Sequence, residues 1–173
     1  MPFWNVRRGS HATLSEGSTA RALEPHLERI QLFTAHERVD GWMVAQGERI
    51  TDLLNQRPAL RVCIDPTADA WVDIARDDLL IVAPPPLPPS PRRIHRQKHR
   101  VLAVLGPYTV EGIAHLAPGV PLDPYLLRSR QRFMAMTNAL IGTADDPDTG
   151  EPVSVAIVNV DNVDELRAIL TIA

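Results

Sequence analysis

The chain has 173 residues, of which 45% are hydrophobic and 23% charged, so it is long enough to bury a core as one domain or two small ones. It contains no run of the roughly 18 apolar residues that a membrane-spanning helix needs, and its start lacks the apolar core of a signal peptide, which predicts a cytoplasmic protein without a membrane span. The single cysteine, Cys63, excludes an internal disulfide and a thiolate cluster for zinc or iron-sulfur.

The formal net charge of -3 is divided between two oppositely charged blocks. Residues 92–132 carry eight basic side chains against two acidic ones, a net of +6, whereas residues 133–173 carry one basic against seven acidic ones, a net of -6. Such blocks either neutralise each other on the folded surface or between subunits, or they present a basic face to a polyanion.

Residues 1–28 are predicted to form an N-terminal arm with a short helix. Ala and Leu recur through the segment TLSEGSTARALEPHLERI, which Pro25 interrupts. The extreme N-terminus is polar apart from Phe3 and Trp4, which are candidate anchors for a neighbouring chain.

Two later segments follow the same order of events. RIQLFTAHERVDGWMVAQGERITDLL starts at Arg29, and RVLAVLGPYTVEGIAHLAPGVPLDPYLL starts at Arg100. In each, an apolar run leads to a valine, an acid and a glycine, at 39–41 and 110–112, and then to a glycine turn and an Asp near a Leu pair. The alternatives are a duplication, which the pattern favours, and a chance similarity of two strand-rich segments.

The likeness continues beyond these segments. ALRVCID at 59–65 matches RFMAMTN at 132–138, and both alternate as half-buried strands do, while DDLLIVAPP at 77–85 is matched with VSVAIVNVDNV at 153–163. The predicted fold is mainly β (α+β), with two tandem related small β-barrel or roll units at 29–83 and 100–173. RITDLLNQ and PLDPYLLRSRQ are each predicted to add a helical turn or two.

Residues 84–99 form a proline-rich, basic strap between the two units. Successive prolines fix φ and remove N–H donors, which predicts an extended, semi-rigid polyproline II spacer. Pro88, Pro91 and Arg93 also match a PxxPxR pattern that binds aromatic grooves, but the pattern is common in proline-rich linkers, so a linker is favoured over a ligand.

The first unit resembles an uncharacterised bacterial family of small β domains. The resemblance rests on the VDG turn at 39–41, on Gly47 and on the segment RITDLLN at 49–55, which fits an R-[LI]-[ST]-D-L-L-N pattern. The second unit departs from that pattern, because Pro124 stands where the first unit has Asp52 and Asn55 has no counterpart. The family implies a β fold over about residues 29–83 and no activity. A looser likeness to Sm-like small barrels rests on element order and strand length.

The sequence offers no convincing catalytic, cofactor or metal site. His95 and His99 have the spacing of two ligands on one helix face, but their segment is cationic and follows a polyproline run. DDPDTGEP at 145–152 lacks the spacing of an EF-hand loop and is typical of a hairpin turn. Cys63, in an apolar alternation, is predicted to be a buried small hydrophobe. The protein is therefore predicted not to be an enzyme and to need no cofactor.

We expect a non-catalytic structural or adaptor subunit that contacts a protein partner or further copies of itself. An alternative is an Sm-like nucleic-acid-binding module that contacts phosphates through the basic linker, although few aromatic residues are present for base stacking. A third is an enzyme whose site forms between subunits. The candidate partner-binding residues are Phe3, Trp4, Trp42, Pro88, Pro91 and Arg93. The candidate nucleic-acid-binding residues are Arg92, Arg93, Arg96, Lys98 and Arg100.

Overall fold

A computed structural model of the chain describes residues 27–44, 48–85, 96–119, 131–146 and 149–169. The first half contains β1 (Leu27–Thr34), β2 (Arg38–Val44), α1 (Ile50–Gln56), β3 (Ala59–Asp65), β4 (Ala70–Ala75) and β5 (Leu79–Ala83). The second half contains β6 (Gln97–Leu105), β7 (Tyr108–Leu116), β8 (Phe133–Thr143), β9 (Glu151–Asn159) and β10 (Glu165–Ala168).

The ten strands form a single antiparallel sheet in the order β10-β6-β7-β8-β9-β5-β1-β2-β3-β4. The predicted mainly β fold is therefore confirmed, as is a helix within RITDLLNQ. Two separate closed units are not confirmed, because β5 pairs with both β1 and β9 and the sheet stays open. Most of the predicted N-terminal arm, with its short helix, and of the proline-rich strap lies outside the described residues. Their described ends correct the predicted bounds, because residues 27 and 28 belong to β1 and residues 97–99 to β6.

The strands of each half follow the same spatial order. The first five lie as β5-β1-β2-β3-β4 and the last five as β10-β6-β7-β8-β9, so the first strand of each half is flanked by its fifth and its second. A 3-10 turn precedes the fifth strand in both halves, at Arg76–Asp78 and at Val160–Asn162.

The glycines of the VDG and VEG triplets occupy matching places. Gly41 on β2 lies opposite Ile30 of β1, and Gly112 on β7 lies opposite Val101 of β6. A side chain at either position would crowd the third strand of its half. A Cβ on Gly41 would lie 3.0 Å from the carbonyl oxygen of Cys63, and one on Gly112 would lie 3.1 Å from the Cβ of Ala139. Each triplet therefore marks a close approach of the second and third strands of its half.

The buried side chains form two clusters, one in each half of the sheet. The first-half cluster packs α1 against β1, β3 and β5 and includes Ile30, Leu54 and Val62. The second-half cluster lies among β6, β7, β8 and β9 and also includes Phe33 of β1 and three residues of β5. Cys63 is buried, as predicted. None of the helices in the described ranges is long and apolar enough to cross a membrane.

The structure corrects two details of the internal alignment. The 3-10 turns show that β5 is the equivalent of β10 and that β4 is the equivalent of β9. The segment DDLLIVAPP therefore does not correspond to VSVAIVNVDNV. The alignment of the two third strands, β3 and β8, also changes by one residue. Arg76 N–H donates to Pro58 O at 2.8 Å, and Val160 N–H donates to Arg132 O at 2.7 Å, which aligns Pro58 rather than Ala59 with Arg132. Two apolar strands look alike in composition wherever they sit in a sheet, which explains the first error.

Candidate functional site

The two halves join where β5 meets β9. Ile81 lies opposite Val158 and Val82 lies opposite Ile157 in an antiparallel pairing. All five residues of β5 are buried, and they divide between the two clusters, so this strand belongs to both halves of the core. Phe133 and Ile157, from the second half of the chain, pack in the first-half cluster. The junction is therefore a continuous sheet, and residues from both halves of the chain contribute to each cluster.

A group of polar side chains, here called the polar clasp, links the two halves at one end of the junction; it consists of Asn159, Arg132, Asp77 and Asp161. The side chain of Asn159 is fully buried; its Nδ2 donates to Leu79 O at 2.8 Å, and its Oδ1 accepts from Arg132 Nε at 3.2 Å. Arg132 also pairs with Asp77 from the first half and, at 3.1 Å, with Asp161 from the acidic block. The clasp thus satisfies every polar group that Asn159 brings into the core, as buried polar groups require.

Asn55, at the end of α1, makes a second polar link across the junction. Its Oδ1 accepts from the backbone N–H of Phe133 at 3.1 Å, and its Nδ2 donates to Thr51 O at 2.8 Å and reaches Phe133 O at 3.4 Å. The side-chain amide of Asn55 therefore bonds to both backbone groups of Phe133, the first residue of β8. The asparagine of the RITDLLN segment is thus a contact between the halves.

A charged cluster lies at the opposite end of the junction, where Glu151 begins β9. Its carboxylate accepts from Arg38 Nη1 at 2.5 Å and from Gln31 Nε2 at 3.3 Å. These hydrogen bonds, Arg38 first, hold the pKa of Glu151 below its ordinary value of 4.5. Beside this cluster β5 ends at Pro84 and Pro85, which have no N–H to continue the ladder, so β5 and β9 diverge and leave a shallow groove.

The two outer edges of the sheet are β4 and β10. Among the described strands, β4 pairs only with β3 and β10 only with β6. Strand β4 carries half-buried Trp71, Val72 and Ile74, while β10 is short and carries exposed Glu165 and Arg167 around half-buried Leu166. An unpaired strand edge is a template for pairing with another strand, and edge charges restrain that pairing.

The structure does not bring the predicted partner-binding residues together. Trp42 is half-buried on β2, opposite Arg29 and Cys63, and is therefore two strands in from the β4 edge. The other candidates lie outside the described residues. They are Phe3, Trp4, Pro88, Pro91 and Arg93.

Three of the basic candidates are described, and Arg92 and Arg93 lie outside the described residues. Arg96 donates to His115 O at 3.3 Å, and Arg100 donates to Glu111 at 2.7 Å. Burial, followed by the positive charges of Lys98 and Arg96, lowers the pKa of His115 below 6.5. These side chains give a small cluster of positive charge on β6, partly neutralised by Glu111.

The described ranges hold no group of three or more His, Cys, Asp or Glu side chains arranged to bind a metal ion. His95 lies outside them, and His99 is on β6 with its Nε2 buried and without a hydrogen-bond partner in the described part of the chain. In the segment at 145–152, residues 147 and 148 are also outside the described ranges.

No family model, no curated protein sequence and no solved structure matches this chain. The resemblance of residues 29–83 to a family of small β domains thus stays a prediction. The geometry of the junction and of the two edges is what bears on function.

Sequence reasoning missed the residues of the junction. Asn159 and Arg132 gave no signal, because a polar side chain beside an apolar strand is ordinary until its partner across the sheet is known. Asn55 did carry a signal, since it was one of the two positions, with Asp52, at which the second segment departed from the pattern of the first. A residue present in one half only is suited to a contact between the halves.

We predict that Asn55→Ala destabilises the protein by about 1–3 kcal/mol, because it leaves the N–H of Phe133 without its acceptor. The measurement is urea unfolding followed by circular dichroism. Gln56→Ala, an exposed position on the same helix, is the matched control and should change the unfolding free energy by less than about 0.5 kcal/mol. Equal effects of the two substitutions would contradict the role of Asn55.

We predict that Glu151 makes stability depend on pH in the acid range. Its folded-state pKa is lowered, so its contribution is present above the ordinary value of 4.5 and is lost as pH falls through the folded-state pKa. Glu151→Gln should therefore lower the unfolding free energy at pH 7 and have a smaller effect at about pH 3, which is below the ordinary carboxyl pKa. Glu37→Gln, at an exposed turn, is the control. A Glu151→Gln effect that is the same at both pH values contradicts the assignment.

Proposed function

We propose that the chain is a non-catalytic structural subunit, built from two related five-stranded units, that assembles with protein partners by joining sheet edges. The observation that carries the proposal is the junction. Strand β9 of the second half and β5 of the first half are both outer strands of their own five-stranded sets, and they pair with each other. Edge-to-edge joining is therefore already how this fold holds itself together.

Two further observations support the relation between the units. Both halves have the same strand order, and both have a glycine where the second and third strands approach closely. The sets also differ where the junction needs it, since Asn55 has no counterpart in the second unit. Within the described strands, each unit therefore has one edge strand paired at the junction and one edge strand with no further neighbour.

The second candidate function is binding of nucleic acid by an Sm-like module. The observation that favours it is the group of basic residues Arg96, Lys98 and Arg100 on and beside β6. After burial, the positive charges of Lys98 and Arg96 contribute to the lowered pKa of His115. The pairing of Arg100 with Glu111 weighs against it, because it removes one of the three charges from phosphate contact.

Size-exclusion chromatography with light scattering, read at 260 and 280 nm, tests both candidates. The structural proposal predicts a mass that is a whole multiple of 19.2 kDa, or a stoichiometric complex with another protein, and a protein-like absorbance ratio. A particle of 19.2 kDa at every concentration, with no partner in pull-downs, would contradict it. A high 260 nm signal that nuclease and salt remove, and that reversing the charges of Arg96, Lys98 and Arg100 abolishes, would favour nucleic acid instead.

A further inference from the structure

The outer edges of β4 and β10, with which no other described strand pairs, are the counterparts of the two edges that the junction uses. The matched glycines lie opposite Ile30 in the first half and Val101 in the second. Two residues further along, Leu32 lies opposite Val82 of β5, and Ala103 lies opposite Leu166 of β10. Strand β10 therefore stands in the second half where β5 stands in the first. Likewise β4 has the place in the first half that β9 has in the second, because each ends at the 3-10 turn that leads into the fifth strand of its half.

The register of the junction can be transferred to the open edges residue by residue. Strand β4 ends at Ala75 and β9 at Asn159, which fixes the correspondence between these two strands. The matched residues are Ile81 with Glu165, Val82 with Leu166, Val158 with Ile74 and Ile157 with Asp73. Since Ile81 lies opposite Val158 and Val82 opposite Ile157, the transferred pairs are Glu165 with Ile74 and Leu166 with Asp73.

The backbone directions agree with this register on the β4 side. Arg76 N–H donates to Pro58 O, so residue 76 turns its backbone groups toward the β3 side. Hydrogen-bonding residues alternate along an antiparallel strand, so Ile74 faces β3 and Asp73 turns its N–H and C=O to the outside.

The same reasoning applies on the β10 side. Ile169 N–H donates to Arg100 O at 2.8 Å, so residue 169 faces β6, as does Arg167 two residues earlier. Leu166 therefore turns its N–H and C=O outward. The two residues that the junction register sets opposite each other, Asp73 and Leu166, are both residues with outward-facing backbone groups.

We propose that the chain associates head to tail with a second copy of itself, β4 of one copy pairing antiparallel with β10 of the next. The inference rests on the proposed function and names its partner. Because the two edges differ, the contact is heterologous, and each copy keeps one β4 and one β10 edge for further copies. Association of this type produces a closed ring or an open filament, according to the rotation between neighbours.

The contact between copies is expected to be weaker than the junction. The polar clasp has no counterpart there, because Pro58 stands in the place of Arg132 and Ala75 in the place of Asn159. Ala59 likewise stands in the place of the buried Phe133. The assembly should therefore dissociate on dilution while each chain stays folded.

Disulfide trapping between two different single-cysteine additions tests the register and the head-to-tail arrangement. Full-length chains carrying Glu165→Cys are mixed with chains carrying Ile74→Cys and oxidised. The transferred pair is a non-hydrogen-bonded one, in which the Cα atoms lie about 4.5 Å apart, close enough for a disulfide. We expect a covalent pair of chains in the mixture and several-fold less in either variant alone. Natural Cys63 is buried and is present in all samples.

A mixture of Glu165→Cys with Ala68→Cys, an exposed position on the turn before β4, is the matched control for random collision. Equal trapping in this mixture and in the Ile74→Cys mixture overturns the proposed register. Trapping of either variant with itself at the level of the mixture would indicate a symmetric contact and overturn the head-to-tail arrangement.

A backbone substitution tests whether the outward N–H of Asp73 is used. Asp73→Pro deletes that N–H without removing a hydrogen bond to β3, and proline is tolerated on the outer side of an edge strand. We expect Asp73→Pro to reduce the mass from that of the assembly to 19.2 kDa, with a circular dichroism spectrum unchanged. Asp73→Ala keeps the N–H and should keep the assembly.

The outcomes separate the inference from the proposed function. A natural chain that is monomeric at every concentration and has no partner overturns both. A stable oligomer that survives Asp73→Pro and gives no Glu165–Ile74 disulfide overturns the inference alone and leaves assembly through another surface.

Discussion

The structure depends on β5, a strand that pairs on both sides and is buried on both faces. Its five residues, Leu79–Ala83, are all apolar, as a strand in that position must be, because a charged side chain there would lie in one cluster or the other without solvent. Strand β5 contributes side chains to both hydrophobic clusters, and through it the ladder runs from one end of the sheet to the other. The buried amide of Asn159, bonded to Leu79 O, fixes where β9 meets this strand.

The same constraint determines what stays open. Because each half has the order fifth-first-second-third-fourth, a single junction uses the fourth strand of one half and the fifth of the other. The complementary strands, β4 and β10, then lie at the two ends. The polar residues that secure the junction have no counterpart on β4 and β3, where Ala75 and Pro58 stand in the places of Asn159 and Arg132. The proposed contact between copies should therefore be weaker than the junction and should depend on concentration.

Local patterns predicted much of the local structure and little of its arrangement. Alternation and turn residues indicated most strands, the helix in RITDLLNQ and the burial of Cys63, since these depend on neighbours along the chain. The pairing of β5 with β9 joins residues about eighty positions apart, and nothing in LLIVA distinguishes a strand with two neighbours from one with a single neighbour. The alternation in AWVDIA of β4 is weak, and without this strand the end of the first half is misaligned with the second. Asn55, Arg132 and Asn159 became interpretable only once their partners across the junction were known.

Hydrogen exchange of the natural chain as a function of concentration is the most direct test of edge-to-edge assembly. The account predicts that the amides of Asp73 and Leu166, on the outer sides of β4 and β10, exchange quickly in dilute solution and become protected as the protein is concentrated. The amides of β5 should stay protected throughout, because their partners are in the same chain. Exchange at Asp73 and Leu166 that is equally fast at every concentration, in a protein that nevertheless oligomerises, would contradict the claim that these edges carry the assembly.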